Sequence, residues 1–244
     1  MMKKTLLSII FIFGFIPTIQ AEEVHIAVAA NFTAAMKEIS AHFEQETGHK
    51  PLVSFGSTGK LYVQIINDAP FEVFLAADQE RPRLLHEQDQ LGEKPFTYAI
   101  GKLVLWSRDE QRELSAATLK AGNFKRLALA NPKTAPYGAA AVQVMEHLQL
   151  VESLRSKWIK GDSITQTHQF VATGNAELGF VALAQIALND TGSRWEIPQE
   201  YYNPIRQDAM LLKRGANNVA AKAFIEYLQS EAAKTVIQRF GYGL

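Results

Sequence analysis

The sequence predicts an α/β protein made of two units of about 100 residues each. Three observations carry this. Short apolar runs alternate with stretches whose apolar residues recur at helical spacing. The alternation restarts after Trp106. The chain has 244 residues, 47% hydrophobic and 20% charged, enough to bury a core without disulfide or metal staples. The same composition excludes disorder. The absence of cysteine excludes a disulfide framework, a cysteine-based zinc site, an iron–sulfur cluster and a cysteine nucleophile. With 25 basic and 25 acidic residues there is no bulk attraction for nucleic acid or anionic lipid.

Met1 to Ala21 has the layout of a secretory signal peptide. Lys3 and Lys4 form its positive start, and Leu6 to Phe15 is an apolar run broken by Pro17. That run is about half of the roughly 20 residues that a spanning helix needs. Cleavage is expected near Ala21. The mature chain then carries 23 basic and 25 acidic residues, a net charge of −2. The expectation is an exported protein with no membrane insertion.

Val24–Ala29 is an apolar run suited to a buried strand. Met36, Ile39 and Phe43 then mark one face of a helix that Gly48 ends. Pro51–Phe55 reads as a second strand, and Leu61, Ile65 and Ile66 carry a second helix. Phe71–Ala76 is a third strand, followed by a helix containing Arg83–Gln88. This βαβαβ order implies parallel strands with right-handed crossovers. One long strand is predicted over Tyr98–Trp106, then a strand at Leu127–Ala130 and a helix at Gly138–Leu148. A helix at Ser163–Thr173, a strand at Leu178–Ala182 and an extended stretch at Ile205–Lys213 follow. Two helices close the chain, lined by Val219, Phe224, Tyr227 and Leu228, then by Val236, Ile237 and Phe240. Taken alone, the pattern gives two consecutive units, with a ligand expected between them.

Four segments stand where strands give way to helices, the place where ligands of open α/β sheets sit. Ala29-Ala30-Asn31-Phe32-Thr33 offers amide and hydroxyl groups that serve either as caps or as ligand donors. Gly56-Ser57-Thr58-Gly59-Lys60 looks at first like a phosphate loop. The Walker pattern fails, because Ser54 stands where a glycine is required and Leu61 where Ser or Thr is. What remains is a glycine-flanked hydroxyl pair opening a helix, which suits an anion. Ala135-Pro136-Tyr137-Gly138 and Gly161-Asp162-Ser163-Ile164-Thr165 open two more helices. The Tyr137 side chain suits packing and its N–H suits a ligand, while Ser163 or Asp162 suits a cap. Together the four segments are rich in neutral donors and poor in Arg and Lys. They suit a small, fully ionised oxyanion, which only accepts hydrogen bonds and needs no carboxylate.

Enzymatic readings find less support. None of the six histidines forms HExxH, and there is no GxSxG elbow. His168 reads as a surface residue. Tyr201 and Tyr202 are adjacent, as a ferric-iron site would use, but no His or carboxylate is tied to them, and packing near a lobe junction fits better.

In these stretches the sequence resembles the periplasmic molybdate-binding proteins, the soluble component of molybdate ABC importers. The likeness spans the mature chain. It is carried by Val28-Ala29-Ala30-Asn31-Phe32, Gly56-Ser57-Thr58-Gly59 with Leu61 and Gln64-Ile65, and Ala69 to Asp78. Ala135-Pro136-Tyr137-Gly138, Gly174 to Phe180 and Phe240-Gly241-Tyr242 complete it. The resemblance implies a two-lobe type II periplasmic-binding-protein fold, each lobe a mixed sheet flanked by helices, with the ligand in the inter-lobe cleft. It implies a discontinuous first lobe, 22–101 with 204–244, and a second lobe at 102–203. The implied oxyanion ligands are Asn31 by side chain and N–H, Thr58 by hydroxyl and N–H, and the N–H groups of Tyr137 and Ile164. Ala30 stands where some members have a hydroxyl, and Ser57 is the alternative to Thr58 if the register shifts by one. Ala182 stands where some members supply a tyrosine hydroxyl, a role that Asn31 is then expected to take. The implied protein is a monomeric, periplasmic solute-binding protein without catalytic activity. Its ligand is molybdate or tungstate, so molybdenum enters only as the oxyanion, with no direct protein ligand and no cofactor. It delivers that ligand to a membrane permease. The alternatives on this fold are a sulfate-like oxyanion or ferric iron.

Overall fold

The structure, a computed structural model, describes residues 21–89, 94–188 and 191–244. The predicted export segment therefore lies outside the described residues, apart from Ala21. Among the described residues no helix is long and apolar enough to cross a membrane.

The chain first lays down β1 (Glu23–Ala29), α1 (Thr33–Thr47), β2 (Lys50–Gly56), α2 (Thr58–Ile66), β3 (Val73–Leu75), α3 (Glu80–Asp89) and β4 (Phe96–Gly101). It continues with β5 (Leu103–Ser107), α4 (Ala116–Ala121), β6 (Leu127–Ala130), α5 (Pro136–His147), α6 (Val151–Leu154) and β7 (Trp158–Gly161). Next come α7 (Ile164–Ala172), β8 (Leu178–Ala182), β9 (Ser193–Glu196), β10 (Ile205–Leu211), α8 (Val219–Leu228) and α9 (Glu231–Arg239).

Two mixed sheets result, each of five strands. One has the order β2-β1-β3-β10-β4 and the other β7-β6-β8-β5-β9. In the first, β1 runs parallel to β2 and β3, while β10 runs antiparallel to β3 and β4. In the second, β6 runs parallel to β7 and β8, and β5 is antiparallel to β8 and β9. The long strand predicted over Tyr98–Trp106 is in fact two strands. It breaks at Lys102, and its halves join different sheets. The two consecutive units of the bare pattern are corrected in the same way, because β10 returns to the first sheet.

Alternation along the strands explains the layers. On β1, Val24, Ile26 and Val28 face a core with Phe32, Met36, Ile39 and Phe43, closed by Phe224, Leu228, Val236 and Ile237. Ala27 faces the opposite layer, with Leu61, Phe74, Leu85 and Met210. Each large aliphatic or aromatic side chain so buried contributes roughly 1.5–3 kcal/mol before entropy is charged against it. In the second sheet, Leu105, Leu127, Leu129 and Phe180 pack under α5, and Val104, Ala128 and Val181 pack under α7. The core beneath α5 also takes in Ala29, Ala30 and Ala77 from the first sheet. The two sheets are thus packed together where β1 and β3 end.

Candidate functional site

The parallel strands of both sheets point their carboxyl ends at one another. β1 ends at Ala29 and runs into a tight turn of 3-10 helix over Ala30–Phe32. β2 ends at Gly56, and Ser57 precedes α2. β6 leads to the start of α5 at Pro136, and β7 to the start of α7 at Ile164. Proline fits the first position of α5 because the N–H it lacks has no intrahelical partner there. Between these ends lies a cavity of about 10 Å³. Its walls are Ala29, Ala30, Asn31, Gly56, Ser57 and Thr58 on one side, and Ala135, Pro136, Tyr137 and Ile164 on the other, with Ala77 beside them. No charged side chain lines it.

All six residues singled out in the sequence therefore meet at one place, though not all in the expected way. Asn31 was expected to donate its side chain to a ligand or to cap α1. Its Nδ2 donates to Gln207 Oε1 at 2.7 Å and to the Tyr242 hydroxyl at 3.0 Å, which uses both amide hydrogens. Its backbone N–H lies in the first turn of the 3-10 helix, where N–H groups lack intrahelical partners. The residue before α1 is Phe32, with no side-chain cap, so neither Asn31 nor Thr33 caps it. Thr33 instead donates its hydroxyl to the Ala30 carbonyl at 2.8 Å.

The hydroxyl pair divides its work. Thr58 Oγ1 accepts from the Ala77 N–H at 3.0 Å, so its own proton is free to donate. Ser57 is 4% exposed, and its Oγ has no hydrogen-bond partner at all. A buried hydroxyl without a partner costs about 1–3 kcal/mol, and this one lines the cavity. Tyr137 and Ile164 lie at the first turns of their helices, where N–H groups lack intrahelical partners. Ser163, not Asp162, caps α7 by accepting from the Gln166 N–H at 3.3 Å.

Ala182, at the end of β8, is fully buried and does not reach the cavity. Another tyrosine stands close by. The Tyr242 hydroxyl accepts from Asn31 Nδ2 and donates to the Asn31 carbonyl at 2.8 Å. Burial holds the phenols of Tyr98, Tyr137 and Tyr242 well above their ordinary range, helped by the charges of neighbouring phenols. They act as neutral hydroxyls. The Asp78 carboxyl, close to these phenols together with Asp208, is raised by burial and lowered in part by Arg81, which it binds through the Arg81 N–H and guanidinium. It faces a neighbouring cleft of about 470 Å³ and not the cavity.

The two halves of the site touch directly. The Gly59 N–H donates to the Thr134 carbonyl at 2.9 Å, and Thr165 Oγ1 donates to the Ala30 carbonyl at 3.2 Å. Lys60 pairs with Asp162 at 2.9 Å. The cleft is closed. Elsewhere, no group of three His, Cys, Asp or Glu residues comes together among the described residues. Tyr202 receives the Leu103 N–H at 3.0 Å, and Tyr201 stacks on His147. His168, expected at the surface, is half-buried and stacks on Trp106 at 4.8 Å between ring centroids.

A closed cleft between two mixed sheets, lined by helix starts and neutral donors, defines a solute-binding protein of type II periplasmic fold. The family profile described as bacterial extracellular solute-binding protein matches residues 24–243. The molybdate-binding protein ModA of Azotobacter vinelandii is 55% identical, over 92% of this chain and 91% of its own length. ModA of Rhodobacter capsulatus is 48% identical, over 91% and 88%. The solved periplasmic molybdate-binding protein of Azotobacter vinelandii superposes with a TM-score of 0.86 at 37% identity, over 91% of this chain and 99% of its own. The chain belongs to the ModA family of bacterial extracellular solute-binding proteins, which serve transport and are not enzymes.

Proposed function

We propose that this protein captures molybdate, and also tungstate, in the closed cavity and delivers it to the membrane permease of an ABC importer. The unpartnered Ser57 hydroxyl in a wall free of charged side chains carries the reading. A tetrahedral dianion accepts hydrogen bonds and donates none, so it matches a wall of donors. The ligand set is the N–H groups of Ala30, Asn31, Tyr137 and Ile164, with the hydroxyls of Ser57 and Thr58. Helix starts add partial positive charge, and their number offsets the lack of a lysine or arginine. The names of the relatives support molybdate as the cargo.

In this reading 22–101 with 204–244 forms one lobe and 102–203 the other. The anion binds one lobe and hinge closure brings the donors of the second. The protein works as a monomer in the periplasm after removal of 1–21. Sulfate has the same charge and shape, so cavity size sets the discrimination.

Calorimetry on chain 22–244 with molybdate, tungstate, sulfate and phosphate tests this. Tight binding of the first two, with weak sulfate and no phosphate binding, is the expected result. Tight sulfate binding without heat from molybdate would refute it, and a tyrosinate–iron absorption band after iron loading would favour ferric iron.

A further inference from the structure

Gln207 carries a connection that neither the sequence motifs nor the cavity wall reveals. It lies on β10, is 0% exposed, and does not line the cavity. Its Oε1 accepts from Asn31 Nδ2 at 2.7 Å and from the Tyr98 hydroxyl at 3.3 Å. Its Nε2 donates to the Tyr137 hydroxyl at 3.4 Å. One buried amide therefore holds Asn31, at the end of β1, and Tyr137, at the start of α5.

The backbone is shaped to put it there. Pairing between β10 and β4 jumps from Gln207–Ala99 to Asp208–Thr97, so Tyr98 is an extra residue on its strand. Such a bulge re-aims side chains locally, and here Tyr98 and Gln207 bond on the same side. The Tyr137 ring reaches the end of β4 at Gly101. A Cβ on Gly101 would stand 2.1 Å from the Tyr137 hydroxyl oxygen and 2.8 Å from Gln207 Nε2. No side chain fits between them, so glycine keeps this contact open.

We propose that Gln207 is a positioning residue of the oxyanion site, fixing the spacing between the Asn31 and Tyr137 N–H groups and so the size of anion the closed cavity prefers. The proposal rests on the oxyanion-binding reading above. Asn31 and Tyr137 line opposite walls of the cavity in the first turns of their helices, while their side chains meet at Gln207, which does not line it. A change of a few tenths of an ångström there alters the fit of molybdate relative to the smaller sulfate.

The test is calorimetry with molybdate and with sulfate between pH 6 and 8.5, on wild type, Gln207→Leu, Gln207→Glu and Tyr137→Phe. Ligand-free melting is recorded beside it. Gln207→Leu is expected to reduce the molybdate-to-sulfate affinity ratio at least tenfold. Tyr137→Phe keeps the ring and its N–H but removes the hydroxyl that Gln207 binds, and should shift the ratio in the same direction. Gln207→Glu places a carboxyl among the phenols of Tyr98, Tyr137 and Tyr242, beside Asp208. Burial raises its pKa, so its molybdate affinity should fall at least tenfold as the pH rises. The wild type should change less than twofold. Folded variants with the wild-type ratio and a flat pH profile would overturn the proposal. Tyr137→Phe decides the matter if the Gln207 variants do not fold. A wild type that ignores molybdate refutes the functional reading, whereas unaltered variants of a wild type that binds it refute this inference alone.

Discussion

The Gly59 N–H meets the Thr134 carbonyl at 2.9 Å, which joins the start of α2 to the loop that leads into α5. The approach is close because Gly59 has no Cβ. One added there would lie 3.0 Å from the Thr134 Cα and 3.1 Å from its carbonyl oxygen. Both are backbone atoms and cannot swing aside, so Gly59→Ala must part the two walls. Alanine favours a helix by up to about 1 kcal/mol over glycine, so ligand-free melting should not fall. Molybdate affinity should fall tenfold or more, which is about 1.4 kcal/mol. Unchanged affinity would mean that the cleft closes without this contact.

Ser57 and Thr58 are neighbours with opposite expected signatures. Thr58→Val removes the acceptor of the buried Ala77 N–H and a donor to the anion. Stability and binding should both suffer, with binding weakened by about 1.5–3 kcal/mol for a hydrogen bond to a charged group. Ser57→Ala removes a hydroxyl that has no protein partner. Its ligand-free melting temperature should hold or rise while molybdate affinity drops. Thermal melts with and without molybdate separate the two cases, because ligand stabilises by RT ln(1 + [L]/Kd). A Ser57→Ala protein that binds as tightly as wild type would remove Ser57 from the ligand set.

These residues were legible in the sequence for a physical reason. Glycine, proline, serine and threonine punctuate helix starts, and helix starts carry the unpaired N–H groups. The strand Leu178–Ala182 was equally plain, since a continuous apolar run belongs to a strand buried on both faces. Trp158–Gly161 and Ser193–Glu196 were not foreseen. They are short strands at the two edges of the second sheet, and their exposed Lys160, Arg194 and Glu196 blur the apolar pattern. Gln207 gave no signal either, because a lone polar residue in a strand gains meaning only from its partners. Those partners are 176 and 70 positions away, at Asn31 and Tyr137.

His168 sets a pH dependence of stability. Burial lowers its pKa from the ordinary value of 6.5. The folded protein thus resists protonation that the unfolded chain accepts. The stabilisation is complete above about pH 6.5 and is lost as the pH falls from there toward the lowered value. Phenylalanine can keep the stack on Trp106 without titrating. Melting temperatures between pH 5 and 8 should therefore show a smaller acid-side loss for His168→Phe than for wild type. Equal slopes would place the titration elsewhere.

The Lys60–Asp162 pair joins the first turn of α2 to the residues between β7 and α7 at 2.9 Å. Both side chains are exposed, 51% and 72%, so the pair itself contributes about 0.2–1 kcal/mol at most. Its sign for binding follows from position. Asp162 lies two residues before Ile164, so an unpaired carboxylate there would repel the incoming dianion. Lys60→Ala should weaken molybdate binding at low salt, by less than about tenfold, and the loss should shrink toward 0.5 M salt as screening sets in. Lys60→Ala combined with Asp162→Asn should recover most of the lost affinity, because the repulsion goes with the carboxylate. If the double variant binds no better than Lys60→Ala alone, Lys60 acts by holding the walls together and not by masking Asp162.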